Sequence, residues 1–128
     1  MKLWEKKLQN GLMVAVGGLD WVRLWRNNVG RARPLHDQKS VVQYGRPGMA
    51  DIFGILQGGR FISIECKSPT GRLSEEQGSW ARMCNKFGAV HIAARLPKWT
   101  TDERLDEAIA EVIDYVVTIL CDARGEQL

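Results

Sequence analysis

Glu65 and Lys67 stand one residue apart in the run FISIECK, and Asp51 opens a separate apolar run just upstream of a Gly58-Gly59 turn. In a β-strand, residues i and i+2 point to the same face, so Glu65 and Lys67 project together from the end of one strand. If the two runs pair as a hairpin, Asp51 approaches them. Two carboxylates and a lysine at one point can hold a divalent cation and activate water against a phosphodiester. Lys67 would face the scissile phosphate, orient or help deprotonate the water, and stabilise the developing negative charge. Ile62, Ile64 and Cys66 alternate on the other face and bury the strand. Taken alone, an E-x-K pair is short and frequent and in most cases is a surface salt bridge.

These residues need elements to hold them. Apolar residues at 4, 8, 12 and 16 predict a first helix over Trp4–Val16, ended by Gly17 and Gly18. Asp20–Arg26 alternates bulky and charged residues and reads as a strand. Asn27–Lys39 reads as a loop, and Val41–Tyr44 as a short strand. Asp51–Leu56 and Arg60–Lys67 form the hairpin, and Ser68–Gly71 a turn. Ser74 and Gln77 make a capping box that opens a helix with Trp80, Met83, Cys84 and Phe87 as its buried stripe and Gly88 as its C-terminal cap. Ala89–Ala94 is a short strand. Thr100, with Glu103 three residues on, opens a last helix reaching about Cys121, whose broad stripe includes 105, 109, 112, 116 and 119. The order α-β-β-β-β-α-β-α predicts an α/β fold with a mixed central sheet flanked by helices.

At 128 residues the chain suits one domain, 1–128, with a single core. No stretch has the length and apolarity of a signal peptide or a membrane span, so no membrane partner is expected. Cys66, Cys84 and Cys121 are odd in number and form no C-x-x-C pair, which argues against zinc or disulfides and for buried, reduced thiols in a cytoplasm. Residues 1–98 carry 16 Lys and Arg against 7 Asp and Glu, a net of +9, whereas residues 99–128 carry 2 against 8, a net of −6. A basic body suits a polyanion such as nucleic acid.

The run G-x-x-D, a hairpin, then I-E-C-K-S-P-x-G-x-L-S-x-x-Q-x-x-W over Gly48–Trp80 resembles the signature of the virus-type replication-repair nuclease (VRR-NUC) domain of the PD-(D/E)xK superfamily. The likeness extends more loosely to Glu5 and to Arg26-Asn27-Asn28-Val29-Gly30. It departs before Asp51, where Met49-Ala50 stand in place of the usual proline. The resemblance implies a restriction-endonuclease-like core and a Mg²⁺- or Mn²⁺-dependent DNA endonuclease. Asp51 and Glu65 are similar to the family's metal carboxylates, the Cys66 carbonyl to a further ligand, and Lys67 to the catalytic lysine. Gln77 is similar to the family glutamine that contacts the site or its water, and Glu5 to an additional acidic residue. Small standalone members resemble Holliday-junction resolvases and act as dimers, while embedded ones cut flaps as monomers. The resemblance thus implies a homodimer that cuts four-way junctions. The alternatives are a flap or restriction-like nuclease and, in another class, a non-catalytic DNA-binding subunit.

Arg26, Asn27, Asn28, Arg31 and Arg33 form a polar, basic stretch before the hairpin, and Arg72 lies in the turn after Lys67. At least one of these arginines is read as a phosphate contact, whereas the asparagines fit a turn equally well. His36 and His91 lack metal-ligand spacing. Of the five tryptophans, Trp80 is read as core. Trp21 and Trp25 share a strand face with Arg23, which leaves base stacking or partner contact open.

Overall fold

The computed structural model describes residues 2–27, 30–32, 42–44 and 48–125. Along them run α1 (Lys2–Ala15), β1 (Val22–Arg26), β2 (Gly30–Ala32), β3 (Val42–Tyr44), β4 (Ile52–Leu56), β5 (Phe61–Lys67), α2 (Glu75–Lys86), β6 (Val90–Arg95) and α3 (Leu105–Gly125). The main sheet has the order β1-β4-β5-β6; β1, β4 and β5 are antiparallel neighbours, and β5 and β6 are parallel. A parallel pair needs a crossover connection, and α2 supplies it. The α/β fold with a mixed sheet and flanking helices is the one expected from the sequence.

Strand β5 is central and buried on both faces. One face carries Ile62, Ile64 and Cys66, which join Leu8 and Leu12 of α1 and Val112, Val116 and Leu120 of α3 in one core. The other carries Ser63 and Glu65, covered by α2. Trp80 fixes α2 there. Its ring stacks on Phe53 with centroids 5.7 Å apart, and its indole Nε1 donates to Ser63 Oγ at 2.8 Å. His91 Nδ1 lies 3.0 Å from the same hydroxyl. Burial lowers the pKa of this histidine.

The structure corrects several local expectations. Gly30–Ala32, expected in a loop, is a strand paired with β3 through Gly30↔Tyr44 and Ala32↔Val42. The β-formers Val42 and Tyr44 bring in a segment with little strand preference of its own. Met83 and Phe87 are exposed, and Cys84 alone of the predicted stripe is buried, because the contacts of α2 are with β6 and the Phe53 end of the sheet. The last helix begins at Leu105. Thr100 lies too far ahead of that start to cap it, and its hydroxyl donates to the Pro97 carbonyl at 2.6 Å. Thr101 instead accepts from Arg104 N just before the helix. Cys121 is exposed, unlike Cys66 and Cys84. The strand at Trp21 and Trp25 begins only at Val22. Trp21 precedes it, packs on the core and lies under the Arg124 guanidinium, 4.7 Å from its ring.

Candidate active site

Asp51, Glu65, Cys66, Lys67, Gln77 and Glu5 come together in one cavity of about 420 Å³, also lined by Lys6, Gln9 and Arg26. Four elements build it. Strand β5 delivers Glu65 and Lys67 at its C-terminal end. The entry to β4 delivers Asp51, whose Oδ2 accepts from Cys66 N at 2.8 Å. Helix α1 supplies Glu5, whose Oε1 accepts from Ser68 N at 3.1 Å. Helix α2 supplies Gln77, whose Nε2 donates to Glu65 Oε1 at 3.0 Å. The predicted capping box is formed in full: Gln77 N donates to Ser74 Oγ and Ser74 N to Gln77 Oε1.

The approach to Asp51 depends on a glycine. Gly48 has φ +87°, and a Cβ there would lie 2.4 Å from the backbone of Glu76 in the first turn of α2. The G-x-x-D spacing therefore has a physical cause: the chain turns left-handed against α2 and then enters β4 with Asp51 at its mouth. Ala50 beside it is fully buried.

The cavity is rich in negative charge. Glu65 is only 4% exposed. Burial, and then the nearby Asp51 carboxylate, push its pKa up to about 8 despite the opposing pull of Lys67. A buried carboxyl beside a second carboxylate keeps its proton unless a cation neutralises the pair. Burial also drives the Cys66 thiol far above its ordinary pKa. The thiol stays protonated, so the carbonyl is the group Cys66 can offer a hard cation. Lys67 Nζ does not pair with Glu65 as a surface bridge would; it donates to the Arg72 carbonyl at 3.2 Å.

Three carboxylates and a carbonyl are the oxygen donors that Mg²⁺ or Mn²⁺ prefers, so the donor set fits such an ion. Among the described residues, no three His, Cys, Asp or Glu side chains are drawn close enough to enclose one. Each carboxylate instead has one oxygen engaged by a protein donor, Cys66 N, Ser68 N or the Gln77 amide.

The expected DNA contacts divide. Arg26 is exposed at the cavity rim and is braced from α1, donating to Gln9 Oε1 at 2.6 Å and to Asn10 Oδ1. Arg72 is exposed. Asn27 has a scaffold role: its N donates to the Asp51 carbonyl at 2.9 Å and its Nδ2 to the Ala50 carbonyl at 3.0 Å. Arg31 is placed by its backbone, opposite Gln43 in the β2–β3 pair. Asn28, Arg33 and His36 lie outside the described residues. Lys6 and Gln9 escaped the sequence reading. Gln9 is one turn on from Glu5, and i, i+4 residues share a helix face; that spacing was the available signal.

No helix among the described residues is long and apolar enough to cross a membrane. No curated protein and no solved structure matches the chain. The family model of the VRR-NUC domain matches residues 14–96, which include Asp51, Glu65, Lys67 and Gln77 and exclude Glu5. A match over more than half the chain, on a mixed sheet whose central strand carries the acidic residue and the lysine, means that this chain belongs to the VRR-NUC family of nuclease domains, within the PD-(D/E)xK superfamily.

Proposed function

We propose that this chain is a metal-dependent endonuclease that cuts branched DNA. The observation that carries this reading is Glu65 itself, a buried carboxyl facing Asp51, with Lys67 and Gln77 at the same cavity. A divalent Mg²⁺ or Mn²⁺ held by Asp51, Glu65, the Cys66 carbonyl and Glu5 would supply an activated water and charge neutralisation at the phosphate. The protein's own groups do the rest. Lys67 places a positive charge beside the phosphate where negative charge develops. Gln77 fixes the Glu65 carboxyl through one oxygen and leaves the other for the site. Arg26, braced by Gln9 and Asn10, meets a phosphate at the rim, with Lys6 beside it.

We take residues 1–128 as one nuclease domain, because α1 and α3 close the same core as the sheet. The preferred substrate on this reading is a four-way junction, cut by a homodimer whose twofold axis relates two sites to two matching strands. A second reading, a flap nuclease acting as a monomer, draws support from α3. Its Val112 and Val116 are buried in the chain's own core, and Ile109 and Ile119 pack against it.

The test is cleavage of labelled junctions, flaps, duplexes and single strands with Mg²⁺ or Mn²⁺. Asp51→Ala, Glu65→Ala and Lys67→Ala should each lose several orders of magnitude in rate while still binding DNA. Full activity in the Asp51 or the Glu65 variant removes the site assignment. Binding without cutting by the unaltered chain across the whole panel leaves the non-catalytic subunit.

A further inference from the structure

We propose that Trp25 is a stacking platform for an unpaired DNA base beside the cleavage centre. The inference rests on the nuclease reading for its position and on Trp25's own surroundings for its chemistry. Trp25, the last residue but one of the edge strand β1, is 46% exposed, a large share for so big an aromatic side chain. It lies directly across from Phe53 in the β1–β4 ladder, on the face that α2 covers further along at Trp80 and Glu65. Phe53 is buried and Trp25 is not, so the cover ends where the tryptophan begins.

Position ties this ring to the chemistry. Asp51 is two residues before Phe53, so the Cα atoms of Trp25 and Asp51 are about 8 Å apart from strand spacings alone. The segment is held firmly, because Asn27 bonds to the carbonyls of both Ala50 and Asp51. Arg26, the next residue, lines the acidic cavity. Arg23 shares the Trp25 face, stands opposite Ile55 and is exposed. An exposed aromatic ring beside a phosphate site, with the cationic Arg23 on its own face of the strand, suits an unpaired nucleotide: the base stacks and the backbone meets the charge. Trp21 has no such freedom, since it packs on the core beneath Arg124.

The test compares two single-stranded probes of equal length and charge, a deoxythymidine dodecamer and an abasic dodecamer, by equilibrium binding with chelator present. Stacking one base is worth about 1–3 kcal/mol, so the full chain should prefer the thymidine probe by on the order of tenfold. Trp25→Leu keeps an apolar cover on Phe53 but has no π-face, and should bind both probes alike. Trp25→Phe should keep most of the preference. The ratio is internal to each protein, so a folding defect shows as weak binding to both probes, and the Phe variant then carries the test. Equal binding of both probes by the unaltered chain, or an undiminished preference in Trp25→Leu, overturns the proposal. No cutting is measured, so a failure of the nuclease reading would appear separately, in the cleavage panel.

Discussion

The side-chain amide of Gln77 joins a helix cap to a carboxyl: its Oε1 accepts from Ser74 N at 2.9 Å and its Nε2 donates to Glu65 Oε1 at 3.0 Å. One residue therefore completes the first turn of α2 and orients an acidic group of the site. The two roles separate by substitution. Gln77→Glu keeps an acceptor for Ser74 N and adds negative charge at a helix N-terminus, so its stability should stay within about 0.5 kcal/mol of the parent. It replaces the donor to Glu65 with a like charge, and cleavage should fall by roughly a hundredfold or more. Gln77→Ala should lose activity and about 1 kcal/mol of stability together. Thermal melts beside cleavage rates decide; undiminished cutting by Gln77→Glu removes Gln77 from the site.

Glu65 makes the cation-free protein sensitive to alkali. Its pKa rises on folding from the usual 4.5 to about 8, chiefly through burial and then through Asp51. The folded state thus binds a proton that the unfolded chain releases. That contribution to stability is complete below the ordinary carboxyl pKa and is lost progressively as pH rises through about 8. With chelator present, Tm should fall between acidic and mildly alkaline pH, and Glu65→Gln should flatten the fall. Mn²⁺ should raise Tm at the alkaline end in the parent and not in Glu65→Gln, with its affinity rising with pH as the proton is displaced. A chelated parent as stable at pH 9 as at pH 5 contradicts the burial of an ionisable Glu65.

DNA binding should depend steeply on salt. If the basic body covers about six phosphates, affinity should drop on the order of a thousandfold between about 50 and 200 mM salt. Arg26→Ala and Arg72→Ala should each lower the slope by about one. A flat titration speaks against a nucleic-acid partner.

Oligomeric state separates the two substrate readings. Light scattering at micromolar concentration, paired with cleavage of a mobile four-way junction, should show a dimer that cuts junctions. A strict monomer that cuts flaps and leaves junctions whole sinks the dimer and the resolvase together. Because Val112 and Val116 face the chain's own core, substituting them should unfold the protein and not merely split a dimer; the interface must be sought elsewhere.

What the sequence disclosed was what short-range chemistry dictates. Ser74 and Gln77 are three residues apart, and the cap they form is nearly independent of the rest of the fold. Glu65 and Lys67 share a strand face by period alone. Asp51 reached them because a Gly-Gly turn closes the hairpin. Contacts between distant segments were harder to read. Met83 and Phe87 have helical spacing, yet the helix settles on β6 and the Phe53 end of the sheet, which leaves both in solvent. Gly30–Ala32 becomes a strand only because Val42–Tyr44 lies beside it. Thr100 has capping-box spacing to Glu103, but the helix begins only at Leu105, beyond the reach of that box. Gln9 could be read from its one-turn spacing to Glu5, but Lys6 enters the site only because α1 lies across the end of β5.

Gly48 has a mechanical consequence. With no room for even a methyl group between it and Glu76, the entry to β4 and the first turn of α2 cannot slide past each other. Asp51 rides on one of these pieces and Gln77 on the other. The gap at Gly48 therefore works as a gauge that sets the width of the site from behind. A side chain introduced there would pry the two halves apart without touching a single reacting group.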